Sequence, residues 1–93
     1  MNAQPSGDSP AVILVVVNDD PLRAKLRSEL DLLGYTSIEA PSAESAVKYL
    51  KESTPDLIVM DVDLPGVSGI QACQKLRSTS RLAQTPVLLL VEQ

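Results

Sequence analysis

The chain has 93 residues, of which 44% are hydrophobic and 22% charged, a composition typical of one small globular domain. Twelve acidic against eight basic residues give a net charge of −4, which argues against nucleic-acid binding by this segment. Because the sequence contains no His, a Ser–His or Cys–His catalytic pair and a His-based zinc site are excluded. With no Phe or Trp, the core must be aliphatic and built mainly from Leu and Val.

The N-terminal residues 1–10, MNAQPSGDSP, are small and polar, and we expect them to form a disordered arm rather than a signal peptide. The apolar run behind them, residues 11–17, is far shorter than the roughly 20 residues that a membrane-spanning helix needs. The single cysteine, Cys73, cannot form an internal disulfide and is expected to be a small core residue. These features predict a cytoplasmic protein that does not enter the membrane.

The first elements along the chain are a buried strand, a helix and a weaker strand. Residues 11–17 predict a strand buried on both faces, because the apolar run is nearly continuous rather than alternating. A helix is predicted over residues 21–33, with Pro21 in its first turn and Gly34 at its end. Its apolar face is predicted to consist of Leu22, Leu26, Leu30 and Leu33. Residues 36–40 are more polar and predict a strand at the edge of a sheet.

A second helix is predicted over residues 43–52, with Ser42 as its N-cap. Its inner face is predicted to carry Ala46, Val47 and Leu50. The apolar run at residues 56–60 predicts a third strand, residues 70–77 a third helix, and residues 86–91 a fourth strand. The order β-α-β-α-β-α-β with right-handed crossovers predicts an α/β fold, a three-layer parallel sheet with helices on both faces.

Two of the buried strands run directly into acidic residues. The third strand is followed by Asp61 and a Pro/Gly-rich loop, and the first strand by Asn18, Asp19 and Asp20. A carboxylate at the end of a buried strand is costly unless something binds it, and ligands in open parallel sheets collect outside the carboxyl ends of the strands. The acids therefore predict a binding site. The alternatives are a solvated strand-end acid or helix-cap residue at position 61 and an N-cap cluster at positions 19 and 20.

The loop carries the motif D-x-x-L-P-x-x-x-G, formed by Asp61, Leu64, Pro65 and Gly69. Together with the upstream acidic cluster and the TPVLLL fourth strand, the motif resembles the receiver domain of two-component response regulators, over about residues 11–91. That resemblance implies a flavodoxin-like sheet of strand order 2-1-3-4-5. We expect residues 11–93 to be an incomplete receiver domain, with strands 2-1-3-4 present and the fifth strand and last two helices absent.

The resemblance also implies roles for individual residues. Asp61 matches the phospho-acceptor, so the domain is expected to be regulatory rather than an enzyme, at most assisting its own phosphorylation and dephosphorylation. Mg²⁺ is the implied cofactor, weakly bound by Asp19, Asp61 and the backbone carbonyl of Asp63. Asp20 matches a neighbouring position that is often acidic but is not usually a ligand.

Two positions depart from the family pattern. Asn18 stands where the family usually has an acidic residue; its amide can still bond a metal-bound water but brings no charge. Val91 stands where the family has a Ser or Thr whose hydroxyl bonds the phosphoryl group, and we expect Val91 to be a buried strand residue. The Lys that would pair with the phosphoryl group falls in the elements that we expect to be missing.

Two functions from different classes remain open. The first is a signalling module that accepts a phosphoryl group on Asp61 from a histidine kinase or phosphotransfer protein. The alternative is a phosphorylation-independent pseudo-receiver that acts as an interaction or dimerisation module. Self-association is predicted through the fourth strand, which is expected to be an edge, or through the sheet face above strands one and three, which no fifth helix would cover. That face would consist of alternate residues of 13–17 and 57–60.

Overall fold

The structure is a computed structural model that describes residues 10–91. The arm expected over residues 1–10 lies almost wholly outside the described residues and stays a prediction. No helix within the described range is long and apolar enough to cross a bilayer. The elements are β1 Val12–Val16, α1 Asp20–Leu32, β2 Thr36–Ala40, α2 Ala43–Glu52, β3 Leu57–Asp61, β4 Asp63–Leu64, β5 Val67–Ser68, α3 Gly69–Arg77, a 3-10 turn Ser80–Leu82 and β6 Val87–Leu90.

Four strands form one parallel sheet in the order β2-β1-β3-β6, which confirms the predicted 2-1-3-4 order. β1 lies between β2 and β3, and Val16 pairs with Ala40 on one side and Met60 on the other. The β3–β6 ladder ends with Asp61 opposite Leu90. Three neighbouring strands therefore reach the carboxyl edge of the sheet at nearly the same level.

Helices cover both faces of the sheet and create two hydrophobic clusters. Successive side chains of a strand point to opposite faces, so β1 contributes Leu14 and Val16 to one cluster and Ile13 and Val15 to the other. α2 and α3 pack on the first face, whereas α1 packs on the second. The near-continuous apolar runs of β1 and β3 follow from this arrangement, because their residues are buried whichever way they point.

The apolar face of α1 is shorter than its leucine spacing predicts. Leu26 and Leu30 pack against the sheet, but Leu22 and Leu33 are exposed, so the prediction is wrong for these two residues. α1 has 13 residues and is about 20 Å long, whereas the five-residue β1 spans about 16 Å. Leu22 lies in the first turn and Leu33 beyond the last, so both lie at the ends of a helix that is longer than β1.

In α2 the inner face is formed by Ala46, Tyr49 and Leu50, and the predicted inward position of Val47 is wrong because Val47 is exposed. Residues at i, i+3 and i+4 share one face of a helix, and Val47 lies about 100° away from Ala46. The predicted N-cap is confirmed: the Ser42 hydroxyl accepts a hydrogen bond from the Ser45 backbone N–H at 3.1 Å.

The sheet face above β1 and β3 is covered, so the expectation of an open face there is wrong. On this face Ile13, Val15, Val17 and Val59 are buried, and Leu57 is partly buried. α1 covers them because Leu26 and Leu30 pack against the same cluster. The apolar surface that remains exposed on this face lies over β6, where Leu88 is 54% exposed.

Candidate functional site

The carboxyl edge of the sheet brings the predicted site residues together. Asp61 is the last residue of β3, and the acidic segment 18–20 follows β1, which pairs with β3 as far as Val16 and Met60. Val91 follows β6 directly after Leu90, the residue opposite Asp61. Strand pairing thus accounts for the proximity of segments that are far apart along the chain.

Asp61 is half-buried, and its Oδ1 accepts a hydrogen bond from the backbone N–H of Asp63 at 3.2 Å. No Lys or Arg within residues 10–91 forms an ion pair with it; the ion pairs in that range belong to Arg23 and Arg27. An ionised carboxylate has about four lone-pair sites. Asp61 therefore keeps acceptor capacity for a ligand at the sheet edge.

Residues 18–20, where the chain passes from β1 into α1, have different partners. Asp19 is the N-cap of α1, and its Oδ2 accepts from the Leu22 backbone N–H at 2.9 Å, which confirms the capping alternative for this residue. Asp20 pairs with Arg23 at 2.6 Å. The Asn18 side-chain amide donates to the carbonyl of Pro41 at 3.0 Å. The cap uses only the Oδ2 atom of the Asp19 carboxylate, so Asp19 can cap the helix and bind a cation at the same time.

Arg23 also belongs to this edge, although it was not among the residues predicted from the sequence. Its side chain is 12% exposed, and its Nη1 donates to the carbonyl of Val17 at 2.7 Å. Its Nε donates to Glu39 Oε1 at 2.9 Å, and Glu39 also pairs with Arg27. The spacing of Asp20 and Arg23, i and i+3 on one helix, was the available signal.

Electrostatics reinforce the pairing of α1 with β2. The hydrogen bond from Arg23 holds the pKa of Glu39 below its usual value, and Arg27 acts in the same direction. Hydrogen bonds to Glu39 and then to Asp20 raise the pKa of Arg23 above its usual value. Charge-assisted bonds of a guanidinium are directional as well as strong, so the side chain of Arg23 is held in one orientation.

A small hairpin follows Asp61 and was also not predicted. β4 and β5 pair antiparallel, with Leu64 opposite Val67, around a turn formed by Pro65 and Gly66. Gly66 has φ of 80°, a conformation that favours glycine at the third position of a type II turn. Two-residue strands carry no readable periodicity, which is why the pattern analysis missed them.

The hairpin lines an open groove of about 540 Å³ together with Asn18 and Gln71. Val62 and Asp63 also line the groove, but Asp61 and Asp19 do not. The groove therefore adjoins the acidic edge and shares Asn18 and Asp63 with it.

Gly69, the last residue of the motif, lies where only a glycine fits. Its backbone N–H donates to the carbonyl of Val62 at 2.6 Å, and a Cβ at this position would lie 2.5 Å from the carbonyl oxygen of Asp61. No side chain fits at such a distance from backbone atoms, so the start of α3 can approach β3 only with glycine. The motif thus combines Asp61 with a glycine that allows α3 to pack closely against the end of β3.

The predicted metal ligands are all oxygen atoms, which is the donor set that Mg²⁺ prefers. Across residues 10–91 no three Asp, Glu, His or Cys side chains gather in a group that could hold a metal ion. The predicted set has two carboxylate side chains, Asp19 and Asp61, and one backbone carbonyl, that of Asp63. Such a site fits a cation that keeps several of its waters.

Val91 is not the buried strand residue that we expected. β6 ends at Leu90, and Val91 is 70% exposed. Within the described residues, the last bond between β3 and β6 runs from the Val62 backbone N–H to the carbonyl of Leu90 at 3.0 Å, and Val91 lies outside the strand. Val91 thus lies at the carboxyl edge, outside both hydrophobic clusters.

Residues 13–93 match the family of response regulator receiver domains. A curated relative is the transcriptional regulatory protein AfsQ1 of Streptomyces coelicolor, 40% identical over 78 residues that cover 84% of this chain and 33% of AfsQ1. The chain spans about a third of the length of the curated regulators that it matches first.

Two solved structures share the fold. The signal receiver domain of a signal transduction histidine kinase from Syntrophus aciditrophicus has a TM-score of 0.83 at 31% identity, covering 86% of this chain and 61% of that one. The response regulator TrrA of Thermotoga maritima, in complex with Mg²⁺-BeF, has a TM-score of 0.77 at 29% identity, covering 87% of this chain and 69% of that one.

The parallel 2-1-3-4 sheet and the acidic carboxyl edge define a CheY-like receiver fold of the flavodoxin-like α/β class. The chain belongs to the response regulator receiver domain family and is a receiver module of two-component signal transduction. Domains of this family are regulatory phospho-acceptors that bind Mg²⁺ and interact with histidine kinases or phosphotransfer proteins. The comparisons do not support the phosphorylation-independent alternative.

Replacing Gly69 with Ala should displace the start of α3 from the carbonyl of Asp61. We expect a loss of about 1–3 kcal/mol in unfolding free energy, as for other overpacked sites, together with shifted amide signals of residues 61–63. The matched control is Gly34→Ala, at the opposite edge of the sheet, where φ of 92° also disfavours Ala but no atom lies within 4 Å. Unchanged 61–63 signals in the Gly69 variant would contradict the packing argument.

Proposed function

We propose that Asp61 is the residue that accepts the phosphoryl group in this receiver domain. The observation that carries the proposal is a half-buried carboxylate at the end of a central strand, with no ion pair to any residue of 10–91. An oxygen of Asp61 would attack the phosphorus, the bond from phosphorus to the donor would break, and an acyl phosphate would form. The donor would be a histidine kinase or a phosphotransfer protein.

Asp19, Asp61 and the backbone carbonyl of Asp63 would hold the Mg²⁺ ion. The cation would offset the negative charge of both the carboxylate and the incoming phosphoryl group. Support comes from the all-oxygen donor set and from TrrA, whose solved structure is a complex with Mg²⁺-BeF. Asn18 adds no charge, which argues for weak binding, and Asp20 is engaged by Arg23 rather than free for the cation.

The domain would serve as a regulatory switch component rather than as an enzyme with its own substrate. A cytoplasmic location is part of this proposal, and the free thiol of Cys73 suits a reducing compartment. The net charge of −4 makes nucleic acid an unsuitable partner for this segment.

Binding of the cation is measurable in the chain itself. Titration with Mg²⁺ up to about 20 mM, well above the roughly millimolar constants of weak oxygen-ligand sites, should shift the amide signals of residues 18–20 and 61–63. Asp61→Asn should abolish the shifts because it removes a charged ligand. Asp31→Asn, an equal charge change near the far end of α1, should leave them intact. Signals that stay unchanged throughout the wild-type titration would refute the metal site.

Phosphorylation can be detected by mass. Incubation with phosphoramidate and Mg²⁺ should add one phosphoryl group to the wild-type chain, because a small donor needs no kinase to reach the carboxylate. Asp61→Asn should add none. Asp63→Asn is the matched control and should still be modified, because residue 63 is proposed to contribute only its backbone carbonyl. Equal modification of the wild type and the Asp61 variant would place the acceptor elsewhere.

The 93-residue chain is also proposed to self-associate through β6. β6 is the last strand of the described sheet on its side, and Leu88 within it and Val91 directly after it are largely exposed. An unpaired apolar edge is a template for pairing with another chain, and a second copy supplies an identical edge.

Sedimentation at about 100 μM should show a dimer or larger species, because modest interfaces have micromolar dissociation constants. Leu88→Lys should shift the population towards monomer by placing a charge on the edge strand. Val47→Lys, on the exposed side of α2, is the control and should not. A folded wild-type monomer at this concentration would exclude the association.

A further inference from the structure

Arg23 makes several polar contacts at the carboxyl edge, although it has no role in the proposed phosphoryl transfer or as a metal ligand. Its guanidinium donates to the carbonyls of Val17 and Asn18 at 2.7 and 3.4 Å, and to Asp20 Oδ1 at 2.6 Å. With its Nε bonded to Glu39, it joins the β1–α1 loop to β2. A side chain with a 12% exposed surface and partners on three segments is held in a defined position.

The carbonyl bonds fix the backbone immediately before Asp19. Val17 and Asn18 form the turn by which the chain leaves β1 and enters α1, and the path of this turn sets where the Asp19 carboxylate lies. The backbone of Arg23 contributes as well, because its N–H donates to the carbonyl of Asp19 at 2.9 Å. The segment that carries the proposed metal ligand is thus bonded to Arg23 on both sides of Asp19.

The bond to Asp20 separates the roles of two adjacent carboxylates. Asp20 is paired with the guanidinium, whereas within residues 10–91 the Asp19 carboxylate is bonded only to its own helix, through the Leu22 backbone N–H. The planar fork of Arg can satisfy these acceptors in one orientation, which a Lys ammonium cannot do. Glu39 anchors the fork from β2.

We propose that Arg23 is a positioning residue for the cation site: it fixes the Val17–Asn18 backbone and engages Asp20, so that Asp19 is presented as the ligand of the first loop. This inference rests on the proposed function, because it concerns the same site. Replacing Arg23 is expected to have two opposite effects on the cation affinity. A positive charge close to a cation site opposes binding, so removal of the charge alone would strengthen binding, whereas loss of positioning would weaken it.

The test is a cation titration of the 93-residue chain, with Mn²⁺ as the probe and broadening of the amide signals of residues 18–20 and 61–63 as the readout. Arg23→Met should lower the affinity roughly 10- to 100-fold, the usual effect of removing a group that orients a ligand. Arg27→Met is the matched control, because Arg27 shares Glu39 but forms no hydrogen bond or ion pair with residues 17–20, and the cation affinity of this variant should stay near that of the wild type. Unchanged or increased affinity in Arg23→Met would overturn the proposal.

Arg23→Lys separates charge from geometry and covers the case in which Arg23→Met does not fold. It keeps the charge but loses the planar fork, so affinity should fall here too; full wild-type affinity would show that the fork is not needed to position Asp19 and would overturn the proposal. Amide hydrogen exchange without metal gives a second readout. Residues 18–20 should exchange faster in the Arg23 variants than in Arg27→Met, and equal exchange would also count against positioning. If the wild type binds no cation, the proposed site fails while this exchange comparison still tests Arg23.

Discussion

The pairing of β1 with β3 determines where polar chemistry can occur in this domain. The paired residues run from Ile13 opposite Leu57 to Val16 opposite Met60, and helices cover both faces of the pair. A charged group inside such a layer would lose its hydration without gaining a partner. The acids therefore begin where the pairing ends, and because the two strands end level, the carboxylates that follow them meet at one edge. The position of the site is a consequence of the hydrophobic layer rather than an independent feature.

Much of the fold could be predicted because its signals are local. Near-continuous apolar runs, capping residues such as Ser42, and Gly34 with its φ of 92° depend on a few adjacent residues. The strand order came from the family resemblance, and pairing in the structure confirms it. The errors concern surfaces that depend on distant segments. Whether Leu22 or Leu33 is buried is decided by how far the sheet extends beneath α1, and nothing in the helical spacing records that length.

The acidic residues of the candidate site could be predicted from the sequence, but the residues that hold them in place could not. Asp61 and Asp19 follow apolar runs and are visible in the sequence. Arg23 is not, because its function depends on carbonyl groups and on Glu39, which lies 16 positions along the chain. The same holds for Gly69, whose role is legible only when the backbone of Asp61 is seen within 2.5 Å of a would-be Cβ. For Val91 the sequence shows that a hydroxyl is missing but not that the side chain is exposed. Its exposure follows from the end of the β3–β6 pairing at Leu90.

The β1–β3 pairing also has a consequence for synthesis on the ribosome. The pair is closed at its amino end by Asp56, whose carboxylate accepts from the Val12 backbone N–H at 2.7 Å across 44 positions of sequence. β1, the most apolar strand, therefore emerges long before its central partner has been translated. At about 5–20 residues per second this interval lasts roughly 2–9 s. During that time β1 can pair with β2 on one edge alone, and its other edge is open to chaperones or to other nascent chains.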